Sequence, residues 1–456
     1  WEEPIDLVAD TFLDIKEKYG AESVVFGQGT GRDIAAYITR LCWSFGSPNY
    51  VLFLSGCACY LPRVAGMAAT AGSFWVADCS QQFVDRYDNP DYKVPETMFI
   101  WGNYPLRANS DGFYGHWVVD LMKRGMDVVV IDPKVTWLSA HSRLHLRVRP
   151  GTDAALALGF LNVIINEDLY DHDFVEKWCY GFEELAERCK EYPVEKAAEI
   201  AGVDAEDIRK AARLFAKGNP STIQWGLKVD QTVCGIPLAQ ALLSMGAICG
   251  DIDVPGGMMI PRCAYDIPDS YGCGMWNLSD EMLGKMLGVE TSPLHALGFD
   301  PTANGDTALN AIETGEPYPI RMIFIQSTNP IANMASDAPR VYRAMKSVWY
   351  NVCVDVFMTP TAIACADIVL PCGMSCERNS ARVWWWPLRS IVKVADYYEA
   401  KSDEQIILEL GKRLNPRLFP WDNDVELMTW WIQSGNRFHA GWPHKTDETF
   451  PELCEK

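Results

Sequence analysis

Short apolar runs rich in β-branched residues recur along the chain, and segments with helical periodicity separate them. The first run, residues 23–27, follows a helix predicted at residues 4–19, and the runs at 98–102 and 127–133 flank a helix predicted at 116–124. This alternation is typical of α/β units built around parallel sheets. The sequence therefore predicts two doubly wound, Rossmann-like α/β domains whose sheets are mostly parallel.

Two later strands, predicted at residues 321–326 and 350–355, lie beyond a long stretch without periodicity that begins after Gly257. We expect them to share a sheet with the first strand, which makes the chain in between an inserted domain. The predicted division is a discontinuous domain over residues 1–94 and 295–456 and an inserted domain over residues 95–294.

The 456 residues carry 40 Lys and Arg against 60 Asp and Glu, a formal net charge of −20. This charge disfavours nucleic acids and anionic membrane surfaces as partners. No apolar run approaches the ~20 residues of a membrane-spanning helix, so we expect a soluble protein without a transmembrane segment. The sequence begins at Trp1 without an initiator Met. We interpret it as a mature or partial chain. Its compartment is unknown: the protein is either cytoplasmic or exported by the twin-arginine pathway.

The fifteen cysteines are informative through their spacing. No C-x-x-C occurs, which excludes zinc ribbons, thioredoxin motifs and ferredoxin-type cluster runs within this sequence. None of the seven histidines stands in an H-E-x-x-H pattern, which excludes a zincin. An odd number of cysteines in a large chain predicts mostly reduced, buried thiols rather than a disulfide scaffold.

A glycine-rich turn, Gly27-Gln28-Gly29-Thr30-Gly31, follows the first predicted strand. Its spacing is G-x-G-x-G rather than G-x-G-x-x-G, and no acidic residue occurs between positions 34 and 77 to hold a ribose. A plain strand-to-helix turn is therefore favoured here over a nicotinamide site.

Other strand ends carry a stronger pattern. WGNYP at 101–105 and IDPK at 131–134 each end a predicted strand, and RVRPGTD at 147–153 adds cations at a predicted helix N-terminus. The second half repeats the arrangement at residues 326–330 and, as further expected strand ends, at Asp355 and Asp367. Each motif alone is typical of a turn or a helix cap. Together, at the carboxyl edge of a parallel sheet, they indicate two nucleotide-binding edges in one chain.

A collinear set of motifs extends this pattern over residues 23–414. In chain order it comprises GSPN at 46–49, CYLPR at 59–63, WGNYP at 101–105, IDPK at 131–134, RPGTDAALAL at 149–158, DLYDHDFV at 168–175, GLKVDQ at 226–231, GDIDVPGG at 250–257, STNP at 327–330, DVFMTPTAIACADIVLP at 355–371 and Glu377. In these residues the chain resembles the central region of the DMSO reductase family, the molybdenum or tungsten bis(molybdopterin guanine dinucleotide) oxidoreductases. Within that family it is most similar to catechol dehydroxylases and acetylene hydratase-like members.

The resemblance implies a set of site residues. Cys59, in the C-x-x-P-R form, is implied as the metal ligand of the discontinuous domain, and a soft thiolate suits such a metal. Tyr60, Arg63 and His116 are candidate catalytic residues for proton donation or anion binding near the metal. One dinucleotide would be held by Gly102, Asn103, Asp132, Lys134, Arg149, Gly151, Thr152 and Asp153, and the other by Gln326, Ser327, Asn329, Asp355, Thr361 and Asp367. Gly226, Asp230 and Gln231 are further implied cofactor-binding residues. Lys134 stands where the family more usually has Arg.

The function implied by the resemblance is that of the catalytic-subunit core of an anaerobic reductase, which removes oxygen or hydroxyl from a small organic substrate such as a catechol. Reduction of a sulfur oxyanion or polysulfide and tungsten-dependent hydration stay open. So does a metal-free structural or electron-transfer subunit, although Cys59 counts against it. Formate is disfavoured, because Tyr60 occupies the position where formate dehydrogenases have His.

The family resemblance also implies parts that this sequence lacks. Members usually begin with a cysteine-rich module for a [4Fe–4S] cluster and end with a β-barrel domain, and neither signature is present. We expect the cluster in a part of the protein outside this chain. An iron–sulfur electron-transfer subunit is the expected partner, in a role in anaerobic respiration.

Overall fold

The computed structural model describes residues 1–29, 31, 34–53, 61–81, 83, 85–108, 114–260, 278–293, 302–334, 337–382, 389–433 and 448–455. The chain divides into two compact units. The first consists of Trp1–Cys57 with Arg262–Lys456, and the second is Ala58–Pro261.

The described strands are β1 Val24–Gln28, β2 Tyr50–Leu52, β3 Val76–Ala77, β4 Thr97–Trp101, β5 Asp127–Ile131, β6 Leu144–Leu146, β7 Ser221–Trp225, β8 Met258–Met259, β9 Met322–Gln326, β10 Tyr350–Asp355, β11 Ile368–Pro371, β12 Ser380–Arg382 and β13 Arg389–Ile391.

The described helices are α1 Glu2–Tyr19, α2 Ala35–Phe45, α3 Leu61–Ala71, α4 Tyr114–Lys123, α5 Trp137–Ala140, α6 Asp153–Asn166, α7 His172–Trp178, α8 Phe182–Lys190, α9 Val194–Ala201, α10 Ala205–Lys217, α11 Leu227–Asp230, α12 Gly235–Ile248, α13 Asp280–Leu283, α14 Gly305–Thr314, α15 Pro330–Asn333, α16 Ala338–Ser347, α17 Pro360–Cys365, α18 Asp403–Leu414, α19 Asp424–Gln433 and α20 Phe450–Cys454.

The first unit is built on a five-stranded parallel sheet in the order β11-β10-β9-β1-β2. β1 pairs with β9 so that Val24 lies opposite Met322 and Phe26 opposite Phe324. Every residue of β1 and β9 is buried, and the ring of Phe12 in α1 stacks on that of Phe26 at a centroid distance of 5.4 Å. Strands buried on both faces are typical of a parallel sheet covered by helices on both sides.

The second unit contains a four-stranded parallel sheet in the order β6-β5-β4-β7. Successive side chains of β4 point to opposite faces of the sheet. Phe99 and Trp101 pack with Phe160 of α6 in one core, whereas Ile100 packs with Trp117 of α4 in the other. The predicted α/β class with doubly wound, mostly parallel sheets is therefore confirmed.

The unit boundaries differ from the predicted domain boundaries at 94/95 and 294/295. Contacts between distant segments account for the first difference. α3 packs against α12, and β3 pairs with β8 in antiparallel fashion. The helix packing is close at Gly66 of α3, where a Cβ atom would lie 2.7 Å from the carbonyl oxygen of Ile236 and 2.8 Å from Cβ of Ala239. These contacts join the chain from Ala58 onward to the second unit.

One predicted strand end is wrong. Asp367, expected above to end a strand, instead directly precedes β11, which begins at Ile368. The Asp367 carboxylate accepts a hydrogen bond of 2.8 Å from the amide of Asn351 near the start of β10. Because the strands are parallel, this contact lies at the amino edge of the sheet, opposite the edge where Gln326 and Asp355 end their strands.

Among the helices that the structure describes, none combines the length and the apolar character needed to cross a membrane.

We expect Gly66→Val to lower the free energy of unfolding by about 1–3 kcal/mol, because the new side chain has to displace the backbone of α12. Urea unfolding followed by circular dichroism measures this loss. Ala69→Val places the same side chain at an exposed position of α3 and should change stability by no more than ~0.5 kcal/mol. Equal losses in the two variants would contradict the close packing of α3 on α12.

Candidate functional site

The carboxyl ends of β4, β5, β6 and β7 meet at one edge of the second unit's sheet. Ligands of doubly wound sheets bind beyond this edge. Gly102 and Asn103 follow β4, Asp132 follows β5, and Gly226 follows β7. These sequence-predicted cofactor-binding residues therefore come from neighbouring strand ends.

Two glycines let the turns after β4 and β7 approach each other closely. Gly102 has φ +57°, and a Cβ atom there would clash with the side chain of Lys228. A Cβ atom at Gly226 would lie 2.7 Å from Cβ of Asn103 and would clash with the carbonyl oxygen of Gly102. The Gly226 amide donates to the Trp101 carbonyl at 3.0 Å. Larger side chains at either glycine would push these turns apart.

Asp153, the first residue of α6, is a deeply buried acidic group at this edge, with 1% of its surface exposed. Its Oδ1 accepts a hydrogen bond of 3.0 Å from Nε1 of Trp101. Its Oδ2 lies 3.6 Å from Nζ of Lys228 and accepts no hydrogen bond from the described residues. Asp153 is thus directed at the sheet edge, and the simpler interpretation of this side chain as a helix cap does not apply. Thr152 is the N-cap residue and makes no side-chain capping bond.

Lys228 is a residue of this edge that the sequence reasoning did not select. It lies in α11, directly after β7, and 26% of its side chain is exposed. Its position beside Asp153 combines a buried carboxylate oxygen with a partly exposed ammonium. A cation at this edge suits a phosphate-bearing ligand. The sequence could have indicated Lys228, because this residue lies two positions after Gly226, in the turn that ends a strand.

Arg63 is anchored by three contacts within the second unit. Its backbone amide donates to Oδ1 of Asp230 at 3.0 Å, and its Nη2 lies 3.2 Å from Oδ2 of the same carboxylate. Its Nη1 donates to the carbonyl oxygen of Trp225 at 2.9 Å. The Asp230 side chain is fully buried, so the pair fixes the guanidinium rigidly at the end of β7.

Other predicted residues make local contacts. Oδ1 of Asp132 accepts from the amide of Lys134 at 2.8 Å, as in a turn. The guanidinium of Arg149 donates to the carbonyl oxygen of Ile200 at the end of α9, and Thr152 Oγ1 donates to the Arg149 carbonyl at 2.6 Å.

Three more of these residues lie at exposed positions: Gly151 before α6, Gln231 after α11 and His116 on α4. The structure records no contact from His116 or Gln231 to the cluster formed by Asp153, Lys228 and the two glycines. Cys59 and Tyr60 lie outside the described residues.

The first unit presents a second polar edge where β9 and β10 end. Gln326 is 1% exposed, and its Nε2 donates to Oδ1 of Asp403 at 2.7 Å. Its Oε1 accepts no hydrogen bond from the residues that the structure describes. The neighbouring buried Glu404 pairs with Arg378 at 2.8 Å. A buried amide oxygen with an unused lone pair at this edge suits a ligand that donates a hydrogen bond.

The loop after β9 is closed by a side-chain network. Oδ1 of Asn329 accepts from Oγ1 of Thr361 at 2.6 Å, and Thr361 Oγ1 accepts from the amide of Ile331 at 3.1 Å. Ser327 adopts φ +53° and is exposed. Asp355 Oδ1 accepts from the amide of Phe357 at 3.1 Å. Of the six residues predicted for the second dinucleotide, Gln326 and Asp355 end β9 and β10, and Ser327 and Asn329 lie in the loop after β9. Thr361 joins them through Asn329, and Asp367 lies at the other edge.

The described cysteines are free thiols. Burial raises the pKa of several of them, for example the pKa of Cys353 to about 12 and the pKa of Cys189 to about 11. Such thiols stay protonated and unreactive near neutral pH. No group of three or more His, Cys, Asp or Glu side chains that could hold a metal occurs within the described ranges.

The model of the molybdopterin oxidoreductase family matches residues 1–413, and the chain belongs to this family. Membership implies a molybdenum or tungsten molybdopterin cofactor. The buried acceptor atoms of Asp153 and Gln326 and the glycine-lined turn at Gly102 fit a ligand with hydrogen-bond donors and phosphates.

Individual relatives define the similarity further. The chain is 31% identical to acetylene hydratase of Syntrophotalea acetylenica, over 95% of this chain and 60% of the relative. It is 28% identical to formate dehydrogenase H of Escherichia coli K12, over 91% of this chain and 57% of the relative. A solved structure of acetylene hydratase from Pelobacter acetylenicus superimposes with a TM-score of 0.84 and 30% identity, over 95% of this chain and 61% of that one. The chain therefore spans about three fifths of the length of these relatives.

We expect Trp101→Phe to destabilise the protein by about 1.5–3 kcal/mol more than Trp225→Phe, because it removes a donor to the buried Asp153 carboxylate. Trp225 ends the adjacent strand and is also buried, but its Nε1 donates to none of the described residues. The two variants therefore lose similar packing and differ in one charged hydrogen bond. Urea unfolding measures the difference, and equal losses would contradict the role assigned to Trp101.

Proposed function

We propose that this chain is the cofactor-binding core of the catalytic subunit of a bis(molybdopterin guanine dinucleotide) enzyme. The observation that carries the proposal is Asp153. It is a buried carboxylate with one oxygen that accepts no hydrogen bond from the described residues. An unmade hydrogen bond of a buried charged group is costly. The ring N–H groups of guanine and the hydroxyls of ribose are the donors that such an oxygen requires.

The two sheet edges support one dinucleotide each. For the first, Asp153 accepts from the base or sugar, Lys228 neutralises phosphate, and the backbone at Gly102 and Gly226 leaves room for close approach. Asn103, Asp132, Lys134, Arg149, Gly151, Thr152, Asp230 and Gln231 complete the proposed set for the first edge. For the second, we propose Gln326, Ser327, Asn329, Asp355 and Thr361.

Asp367 stays among the residues proposed for the second dinucleotide only in an indirect role, in which it acts through the strands of the sheet. Its carboxylate is held by the Asn351 amide at the amino edge. Direct contact with a ligand at the carboxyl edge is not part of the proposal.

Cys59 is the proposed metal ligand, and Tyr60, Arg63 and His116 are the proposed residues near it. When bound, the metal supplies a redox or Lewis-acid step that the protein orients. Arg63 contributes a guanidinium that is permanently charged and is held in place by Asp230 and the Trp225 carbonyl. A charge fixed before the substrate arrives attracts and orients a polar or anionic group without loss of side-chain entropy.

The reaction that we propose is the reductive removal of oxygen or hydroxyl from a small organic substrate, of which catechols are one class. Its support is the motif resemblance and the presence of reductases among the relatives, including a nitrate reductase of Symbiobacterium thermophilum and a thiosulfate reductase subunit of Salmonella typhimurium. Electrons would arrive from an iron–sulfur partner subunit through a [4Fe–4S] cluster outside this chain. Reduction of a sulfur oxyanion is the nearest variant of this proposal.

Hydration is the second candidate, and a specific observation favours it: the similarity to acetylene hydratase extends over 95% of this chain. A metal-free structural or electron-transfer subunit is a third candidate from another class. It has no use for a thiolate at Cys59, and it does not explain the unused acceptors at both edges.

Cofactor analysis tests the proposal directly. We expect the full-length protein, purified without oxygen, to contain molybdenum or tungsten by mass spectrometry and to release about two GMP per metal on acid hydrolysis. A protein without either metal would overturn the catalytic proposal, and one GMP per metal would contradict the second binding edge.

Cys59→Ala should abolish metal-dependent activity, because it removes the proposed thiolate ligand. Cys57→Ala and Cys376→Ala serve as matched controls, since Cys57 is two residues away and Cys376 is an exposed free thiol. Both should keep activity and metal content. An active Cys59→Ala variant with normal metal content would assign the ligand to another residue.

The requirement for an electron donor separates reduction from hydration. With reduced methyl viologen as donor, a reductase oxidises the dye in proportion to the catechol, thiosulfate or N-oxide that it consumes. A hydratase converts acetylene at the same rate whether or not the donor is being consumed. Stoichiometric oxidation of the dye is the result that we expect.

A further inference from the structure

A cavity lies at the amino edge of the second unit's sheet, opposite the edge assigned above. Its volume is about 580 Å³. It is lined by the segment before β4, the loop between α6 and α7, the turn from α10 into β7 and the segment that follows α12. None of the residues proposed for the dinucleotides lines it, so its role is independent of the proposed function.

Asp251 is the buried polar group of this cavity. The residue is 3% exposed, and its Oδ1 accepts a hydrogen bond of 2.9 Å from the amide of Ser221, the first residue of β7. Its Oδ2 is buried and has no hydrogen-bond partner among the described residues. A buried carboxylate oxygen without a donor is unfavourable unless a ligand or a proton satisfies it. In accordance with this, burial together with the nearby charge of Asp171 raises the pKa of Asp251 to about 8.

The cavity also contains a second carboxylate. Oδ2 of Asp171 lies against Gly250, where a Cβ atom would be only 2.9 Å away from it. Oδ1 of Asp171 is already used, because it accepts from the amide of Phe174 and caps α7. Gly250 directly precedes Asp251, so the two carboxyl groups flank the same short backbone segment.

The remaining titratable groups that line the cavity are Asp91, Lys93, Tyr170, Lys217 and Cys249. The ammonium of Lys93 donates to Oδ1 of Asn219 at 2.9 Å, and burial raises the pKa of the Cys249 thiol, which keeps it neutral. Three carboxyl groups and two lysines thus line the cavity. Once Asp251 has lost its proton, the lining carries one more negative than positive charge, which favours a cation over an anion as the missing ligand.

We propose that this cavity binds a small organic monocation, an alkylammonium or alkylguanidinium, whose charged head is held by Asp251 and Asp171. Leu169, Pro220, Val254 and Pro255 supply an apolar lining for the alkyl part. This lining does not suit a metal ion, because no group of three or more His, Cys, Asp or Glu side chains that could hold one occurs among the described residues.

Calorimetric titration of the full chain with n-butylammonium chloride tests the proposal. We expect one molecule to bind per chain, with an affinity that rises about tenfold per pH unit from pH 6 to pH 8 and then levels off. The rise follows because Asp251 has to release its proton to pair with the cation. Sodium butyrate is the anionic probe of equal length, and it should bind at least tenfold more weakly at pH 8.

Asp251→Asn should weaken butylammonium binding at least tenfold at pH 8 and remove its pH dependence. The variant keeps an oxygen that can accept from the Ser221 amide, so the start of β7 retains its hydrogen bond. Asp207→Asn is the matched control: this acidic side chain pairs with Lys210 and does not line the cavity, and its removal should leave binding unchanged.

Asp171→Asn provides a second test if Asp251→Asn does not fold, because asparagine also caps α7. It should weaken binding several-fold. Absence of butylammonium binding, tighter binding of butyrate, or unchanged binding in a folded Asp251→Asn or Asp171→Asn variant would each overturn the proposal. None of these results bears on the metal and GMP content, so the proposed function is tested separately.

Discussion

Parallel pairing of β4 with both β5 and β7 is the constraint on which the candidate site depends. It brings the turns after several strands to one edge, although their residues are far apart in the sequence. At that edge the indole of Trp101, the last residue of β4, donates to the buried carboxylate of Asp153. The hydrogen bond fixes one oxygen and leaves the other directed toward Lys228. Strand pairing, core packing and the polar site are therefore parts of one arrangement.

The two units use buried polar groups in a similar way. At each carboxyl edge a deeply buried side chain is held by one hydrogen bond and keeps one acceptor atom unused: Asp153 in the second unit and Gln326 in the first. Holding such a group in a dry setting costs stability. Lys228 offsets part of that cost at Asp153, and a ligand that donates a hydrogen bond to the unused acceptor offsets more. This is a physical reason to expect cofactor-free protein to unfold more easily than the loaded form.

Sequence reasoning predicted the α/β class, the strands that carry the polar ends and most of the glycine and acidic positions, because these depend on local periodicity and short turns. It missed β7 and the short strands β2, β3, β6, β8, β12 and β13, since short runs such as Leu144–Leu146 carry little periodic signal. It also treated Asp367 as a strand end and left Asp153 open as a cap. Both questions depend on partners distant in the sequence: the Asn351 amide for Asp367 and the Trp101 indole for Asp153. The packing of α3 on α12, which sets a unit boundary, is equally non-local.

The register of β1 against β9 has a consequence for biosynthesis. The central pair of the first unit joins Val24–Gln28 to Met322–Gln326, so this sheet cannot be completed until the ribosome has synthesised the later strand. The second unit, in contrast, is one continuous segment, Ala58–Pro261, and all of its strands emerge earlier. Because domains fold as units during synthesis, the second unit can reach its native pairing while β1 still waits for its partner. The order in which the two units fold is thus set by the positions at which the chain passes from one unit to the other.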